Sequence, residues 1–131
     1  MFDHYLDNYK LHFSIESDFE YLKSCIHNHN NHDHNNLQNI SELNVLFLLG
    51  INTTFKKKII DDIIYLLGTE TCQVINSIQF GHNLVNRQIY MFSRNINYGI
   101  RYKNLIIADI IDMQPINDIK NFKCKIIKIT S

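Results

Sequence analysis

Apolar and polar positions along the chain mark it off into short elements, and the clearest two are joined end to end. Val45–Leu49 is an unbroken apolar run, preceded by Leu43 and stopped by Gly50. A run this short and continuous predicts a strand covered on both faces, as in a parallel sheet. Beyond it, Asn52, Thr53 and Thr54 offer side-chain oxygens to the unpaired N–H groups of a starting helix. Phe55, Ile59, Ile63 and Leu67 then recur every four residues, widened by Ile60 and Ile64. That spacing predicts an amphipathic helix, closed by Gly68. Lys56, Lys57, Asp61 and Asp62 lie mostly outside the stripe, with Lys57/Asp61 and Lys58/Asp62 spaced i,i+4.

The flanking sequence is read against this strand–loop–helix unit. Phe2, Leu6 and Tyr9 share one helical face and predict a short first helix. Ser17-Asp18-Phe19-Glu20 has the form of a capping box, and Phe19, Leu22 and Ile26 make the stripe of a second helix ending near His27. The stretch 27–36 holds no apolar residue and is expected to be a flexible His/Asn-rich loop. Downstream, Cys72, Val74, Ile78 and Phe80 alternate as in a strand, and Gly81-His82-Asn83 signals a turn. Leu84–Ser93 fits a helix stripe or, towards its end, a strand. Asn95–Lys103, with its asparagines, Gly99 and Arg101, reads as a loop. Leu105–Ile111 is a second buried-type strand, and Pro115 and Asn117-Asp118 break the chain again. Phe122–Ile129 is a last strand whose Lys123, Lys125 and Lys128 suit a charged edge. The sum is a single α/β domain over residues 1–131, a mainly parallel sheet with flanking helices.

Composition changes this picture little. With 131 residues, 45% hydrophobic and 20% charged, the chain is long enough for one core and ordinary for a globular domain. No apolar run approaches the ~20 residues of a membrane span, so no membrane partner is expected. Cys25, Cys72 and Cys124 are odd in number and far apart, which argues against a disulfide framework and for an intracellular setting. Charge is uneven. Residues 1–44 carry seven acidic and two basic side chains, net −5, and residues 45–131 carry eleven basic and six acidic, net +5. Such polarity suits docking of a partner or anion, or mutual attraction of the two halves.

Three constellations carry candidate chemistry. The first is the Gly50 loop, Gly50-Ile51-Asn52-Thr53-Thr54-Phe55-Lys56-Lys57, between strand and helix. A phosphate-binding loop needs G-x-x-x-x-G-K-[ST] there, so that backbone N–H groups, a lysine and a hydroxyl meet phosphate and magnesium. Gly50 and Lys56 match, whereas Phe55 replaces the second glycine and Lys57 the hydroxyl residue. Leu105-Ile106-Ile107-Ala108-Asp109 looks like the second nucleotide signature, an apolar strand ending in an acid, with Asp112 as an alternative. Over residues 43–113 this order of elements resembles a reduced RecA-like P-loop domain. More narrowly, it is similar to the small Shu-type recombinase paralogues, which keep the core strands and have lost ATP chemistry. The resemblance implies a vestigial cofactor site at Gly50, Lys56 and Asp109, no bound cofactor, no catalysis, and a nuclear role as a subunit in DNA recombination or repair. A heterodimer with a protein partner is expected because a short sheet leaves edges and apolar helix faces that need covering. The departures at Phe55 and Lys57 also fit an ordinary strand-to-helix turn with solvated lysines; a small nucleotide-binding enzyme is the remaining alternative.

The second constellation is His27, His29, His32 and His34, with Cys25 and Asp33 nearby. Imidazoles collect transition metals, but a defined site needs a fixed frame with ligands from elsewhere in the fold, so no metal is expected. The third is Arg87, Arg94, Arg101 and Lys103 among Tyr90, Phe92, Tyr98 and Tyr102, reinforced by Lys120, Lys123, Lys125 and Lys128. Cations interleaved with aromatics suit single-stranded nucleic acid. The same aromatics are also what a strand buries in its core. Neither paired carboxylates nor a nucleophile with its base stands out.

Overall fold

The structure, a computed structural model, describes residues 2–31, 44–75, 96–111 and 123–130. Three helices and five strands follow one another: α1 (Phe2–Asp7), α2 (Glu16–Asn31), β1 (Asn44–Gly50), α3 (Thr53–Leu67), β2 (Gln73–Ile75), β3 (Ile96–Tyr102), β4 (Leu105–Ile110) and β5 (Lys123–Ile129). A 3₁₀ turn, Lys10–His12, lies between α1 and α2. The strands form one sheet in the order β2-β3-β4-β1-β5.

The expected strand–loop–helix unit is present as β1 and α3. Asn52 caps α3, its side-chain oxygen accepting from the Phe55 N–H at 2.9 Å, and Gly68 (φ 101°) ends it. β1 lies inside the sheet, parallel to β4 on one side and to β5 on the other. β3 pairs antiparallel with both β2 and β4. The sheet is therefore mixed, with half of these pairings parallel, and the expectation of a mainly parallel sheet is corrected. The source of the error is β3, which occupies the stretch expected to be a loop. Gly99 suggested a turn, yet it lets two strands approach. A Cβ at this position would sit 2.8 Å from the Ala108 Cβ and 2.9 Å from the Ile107 carbonyl oxygen.

Two further boundaries differ from expectation. α2 starts at Glu16, so Ser17 lies inside its first turn rather than capping it, and it runs to Asn31, beyond His27. The first half of the expected 27–36 loop is thus helical, and 32–36 lie outside the described residues. So do Ile78, Phe80, the 81–83 turn, the ambiguous 84–93 segment and the 115–118 break. β5 is an edge strand as expected. Its end is partly covered, because Phe13 bridges Ile129 antiparallel, Ser14 N–H donates to the Lys128 carbonyl (3.0 Å) and Thr130 N–H donates to that of His12 (2.6 Å).

α2 and α3 pack on the same face of the sheet. Ile59, Ile60 and Ile63 of α3 and Phe19, Leu22 and Ile26 of α2 are fully buried against Leu46, Leu48, Ile107 and Ile127. Side chains alternate along a strand, so Val45, Phe47, Ile106, Ala108 and Ile110 point to the opposite face. They are equally buried, which accounts for the unbroken apolar runs. Each such side chain contributes roughly 1.5–3 kcal/mol by leaving water.

Candidate functional site

The carboxyl ends of β1 and β4 carry the one buried ion pair among the described residues. All six residues of β4 are buried, and Asp109 is the only charged one. It stands in register with Leu48 on one side and Tyr98 on the other, on the face that α3 covers. From above, the inward residues of α3 are Lys56, Ile59, Ile60, Ile63, Ile64 and Leu67. Lys56 is thus the first member of the apolar stripe, and not part of the solvated face as expected. Its ammonium pairs with Asp109 Oδ1 and donates to the Ile110 carbonyl at 3.3 Å. The other carboxylate oxygen accepts from Asn97 Nδ2 at 3.2 Å. Lys56 is 1% exposed and Asp109 0%.

Desolvating two such charges costs several kcal/mol each, and only close pairing with further hydrogen bonds offsets it. Here Oδ2 is hydrogen-bonded by Asn97 and the ammonium by the Ile110 carbonyl, whereas Oδ1 has the ion pair but no hydrogen bond. In this arrangement neither the Lys56 side chain nor the Asp109 carboxylate meets solvent.

Gly50 is also placed differently from expectation. It is the last residue of β1, in register with Ile129, and a side chain there would run into the Ile129 carbonyl oxygen. The glycine permits two strands to meet, and the chain turns only from Ile51 onwards. Phe55, standing where a phosphate loop has its second glycine, is half-buried with its ring 5.3 Å from Tyr9 and 4.4 Å from His12, centroid to centroid. It anchors the 3₁₀ turn on α3. Lys57 is exposed, 3.2 Å from Asp61 and over the Tyr98 ring at 4.7 Å.

Of the basic aromatic segment, Arg101, Lys103, Tyr98 and Tyr102 fall within the described residues. Arg101 and Lys103 lie at the β3–β4 hairpin, the opposite end of the sheet from Asp109. Arg101 Nε donates to the Lys103 carbonyl at 3.2 Å, and partial burial lowers its pKa. Lys103 sits over the Tyr102 ring at 5.1 Å, and that ring is itself buried. Tyr98 is fastened to α3, donating to Asp61 at 2.8 Å, and its hydroxyl is pushed up to about 12 by burial and then by that carboxylate. Both described tyrosines of the segment are packing groups. Arg87, Arg94, Tyr90, Phe92, Lys120 and Asp112 lie outside the described residues.

Other interactions were not foreseen. Tyr9 donates to Asp62, so the adjacent Asp61 and Asp62 fasten α3 to β3 and to the N-terminal turn. Asp18, 5% exposed, lies 3.4 Å from Lys125 and accepts from the Lys128 N–H at 3.5 Å, so an acid of the negative half meets a base of the positive half. Cys72 is half-buried, and burial pushes its thiol up to about 11 against the opposing Thr71 hydrogen bond, which disfavours a nucleophile. Among the described residues no three metal-ligating side chains gather, and no helix is long and apolar enough to cross a membrane. Comparison with known protein families, with curated proteins and with solved structures finds no match to the chain.

Proposed function

We propose that the protein is a non-catalytic subunit of a complex, in which a degenerate nucleotide-binding core of the reduced RecA-like kind serves as a docking platform. By resemblance to the small Shu-type paralogues, the setting is homologous recombination or DNA repair, with a partner subunit in a heterodimer. The observation that carries this is the burial of Lys56 on Asp109. The two residues that a nucleotide site would turn towards phosphate and magnesium are turned towards each other, beneath a helix. Phe55 packing on Tyr9 and His12 occupies the turn where a second glycine would stand. Docking draws support from large apolar side chains left in solvent around the same end of the sheet, Leu11 at 93% and Ile51 at 89% exposed.

Calorimetric titration with ATP, with and without magnesium, tests the degenerate core. No binding is expected up to about 1 mM, a ceiling of roughly −4 kcal/mol. Saturable binding lost in Lys56→Ala would overturn it. The docking role is tested by light scattering on the purified chain. A monodisperse, well-behaved monomer that takes up no partner from its native cell would remove that support.

A further inference from the structure

The exposed apolar residues border a notch. A cavity of about 360 Å³ opens at the carboxyl ends of β1 and β5, lined by Leu49, Gly50, Ile51, Ile129, Thr130, Ser14 and Lys128, the last in register with Leu49. Crevices beyond the carboxyl ends of parallel strands are where α/β sheets take ligands. Ile51 is part of the lining, and Ile15 (55% exposed) adjoins Ser14. Leu11 precedes His12, whose carbonyl holds Thr130.

We propose that this notch receives the C-terminal residue of a partner protein, an apolar side chain on the Leu49–Ile51 wall and its α-carboxylate on Lys128. Three observations select that occupant. First, the charge left over at the rim is positive. Lys10 is paired with Glu16 (2.7 Å) and Lys125 with Asp18 (3.4 Å), whereas Lys128 makes no ion pair among the described residues. Second, a partner cannot lie here as an added strand. Phe13 already bridges Ile129, and the Lys128 carbonyl and Thr130 N–H are taken by Ser14 and His12. An occupant of the notch therefore does not extend the sheet. Third, the notch is small, near the lower bound of ligand pockets at about 300 Å³, and its wall is mainly apolar, so it takes a short apolar group and not a folded surface. An apolar side chain and a carboxylate on the same residue are what a terminus presents within that space. The assignment rests on the docking role proposed above and names the chemistry of its partner.

The test is a nuclear magnetic resonance titration of the ¹⁵N-labelled full chain with acetyl-Gly-Gly-Leu, as the free acid and as the C-terminal amide, and with acetyl-Gly-Gly-Ser as the free acid. The free-acid leucine peptide is expected to give saturable shifts at the amides of Ser14, Gly50, Ile51 and Thr130. Loss of one charge-assisted contact should make the amide bind about tenfold more weakly, and the serine peptide is weakened similarly. Lys128→Gln should erase the preference for acid over amide, and Ile51→Ser the preference for leucine over serine. Both positions are exposed, so well-dispersed spectra of the variants serve as the folding control. Absence of saturable shifts up to about 10 mM peptide, equal binding of acid and amide, or an acid preference surviving in Lys128→Gln would each overturn the proposal. Native complexes that persist in both variants would also overturn it, while leaving the docking role itself standing.

Discussion

The two ends of the sheet handle charge in opposite ways. At the carboxyl ends of β1 and β4, a lysine and an aspartate are buried together while Ile51 and Leu11 stand in water. At the β3–β4 hairpin the arrangement is the ordinary one, with Tyr102 and Leu105 buried and Arg101 and Lys103 at the surface around them. Both ends carry basic residues, so residue type does not separate them. Position does: Lys56 falls on the inward stripe of a helix seated on the sheet, and Lys103 falls in a two-residue turn at the sheet's rim. A charge forced inward must find a partner or unfold the site, whereas a charge at a rim is solvated at little cost.

The sharpest way to break this comparison is to remove one partner of the buried pair. Lys56→Ala should cost about 3–5 kcal/mol in urea unfolding, because it strands the Asp109 carboxylate in the core. The double change Lys56→Met with Asp109→Leu should recover most of that loss, to within about 1 kcal/mol of the parent, if the pair is a structural relic. A smaller effect is expected where β3 meets β4. Gly99→Ala should cost about 1–3 kcal/mol, since the added methyl must displace Ala108 or the Ile107 carbonyl. A neutral result would mean that the two strands are not that close.

Smaller still is a pH effect from the tyrosine–aspartate contacts. The folded protein holds the Tyr98 proton up to about 12, and burial with Asp62 raises Tyr9 as well, against an ordinary value of 10. The folded state thus binds these protons more tightly than the unfolded chain. The stability they contribute is complete below pH 10 and is lost as pH rises from there through about 12. Urea midpoints should fall across that window, and Tyr9→Phe with Tyr98→Phe should flatten the profile. At the hairpin, Lys103→Gly is expected to stay within about 0.5 kcal/mol of the parent, because relief of a positive φ (53°) offsets the lost cation over Tyr102. A loss as large as that of Lys56→Ala would erase the distinction between the ends.

How far the chain could be read in advance depended on how local the governing signal was. The β1–α3 unit was legible because an unbroken apolar run, an N-cap and a four-residue period are properties of neighbours in sequence. The candidate pair Lys56 and Asp109 was legible as two separate motif matches, but Lys56 was expected outside the apolar stripe, although its spacing carried the opposite signal. Lys56 precedes Ile59, Ile60, Ile63, Ile64 and Leu67 at i+3, i+4, i+7, i+8 and i+11, a pattern that places it inward. β3 was not legible. Its glycine is favourable only because Ala108 and Ile107 of another strand lie against it, and no local rule contains that strand. The helix N-terminus at Glu16 was hidden for a similar reason, since Asp18 engages Lys125 and the Lys128 N–H, far away in sequence.

By itself, then, the sequence determined an α/β domain with β1, β4 and α3 near their observed limits, because hydrophobic periodicity is set by backbone geometry. Tertiary structure alone decided the inverted strand, the closure of Gly50 onto β5, and the meeting of Lys56, Asp109 and Asn97. Those outcomes depend on which segments become neighbours, and desolvation and close contact act only once they have.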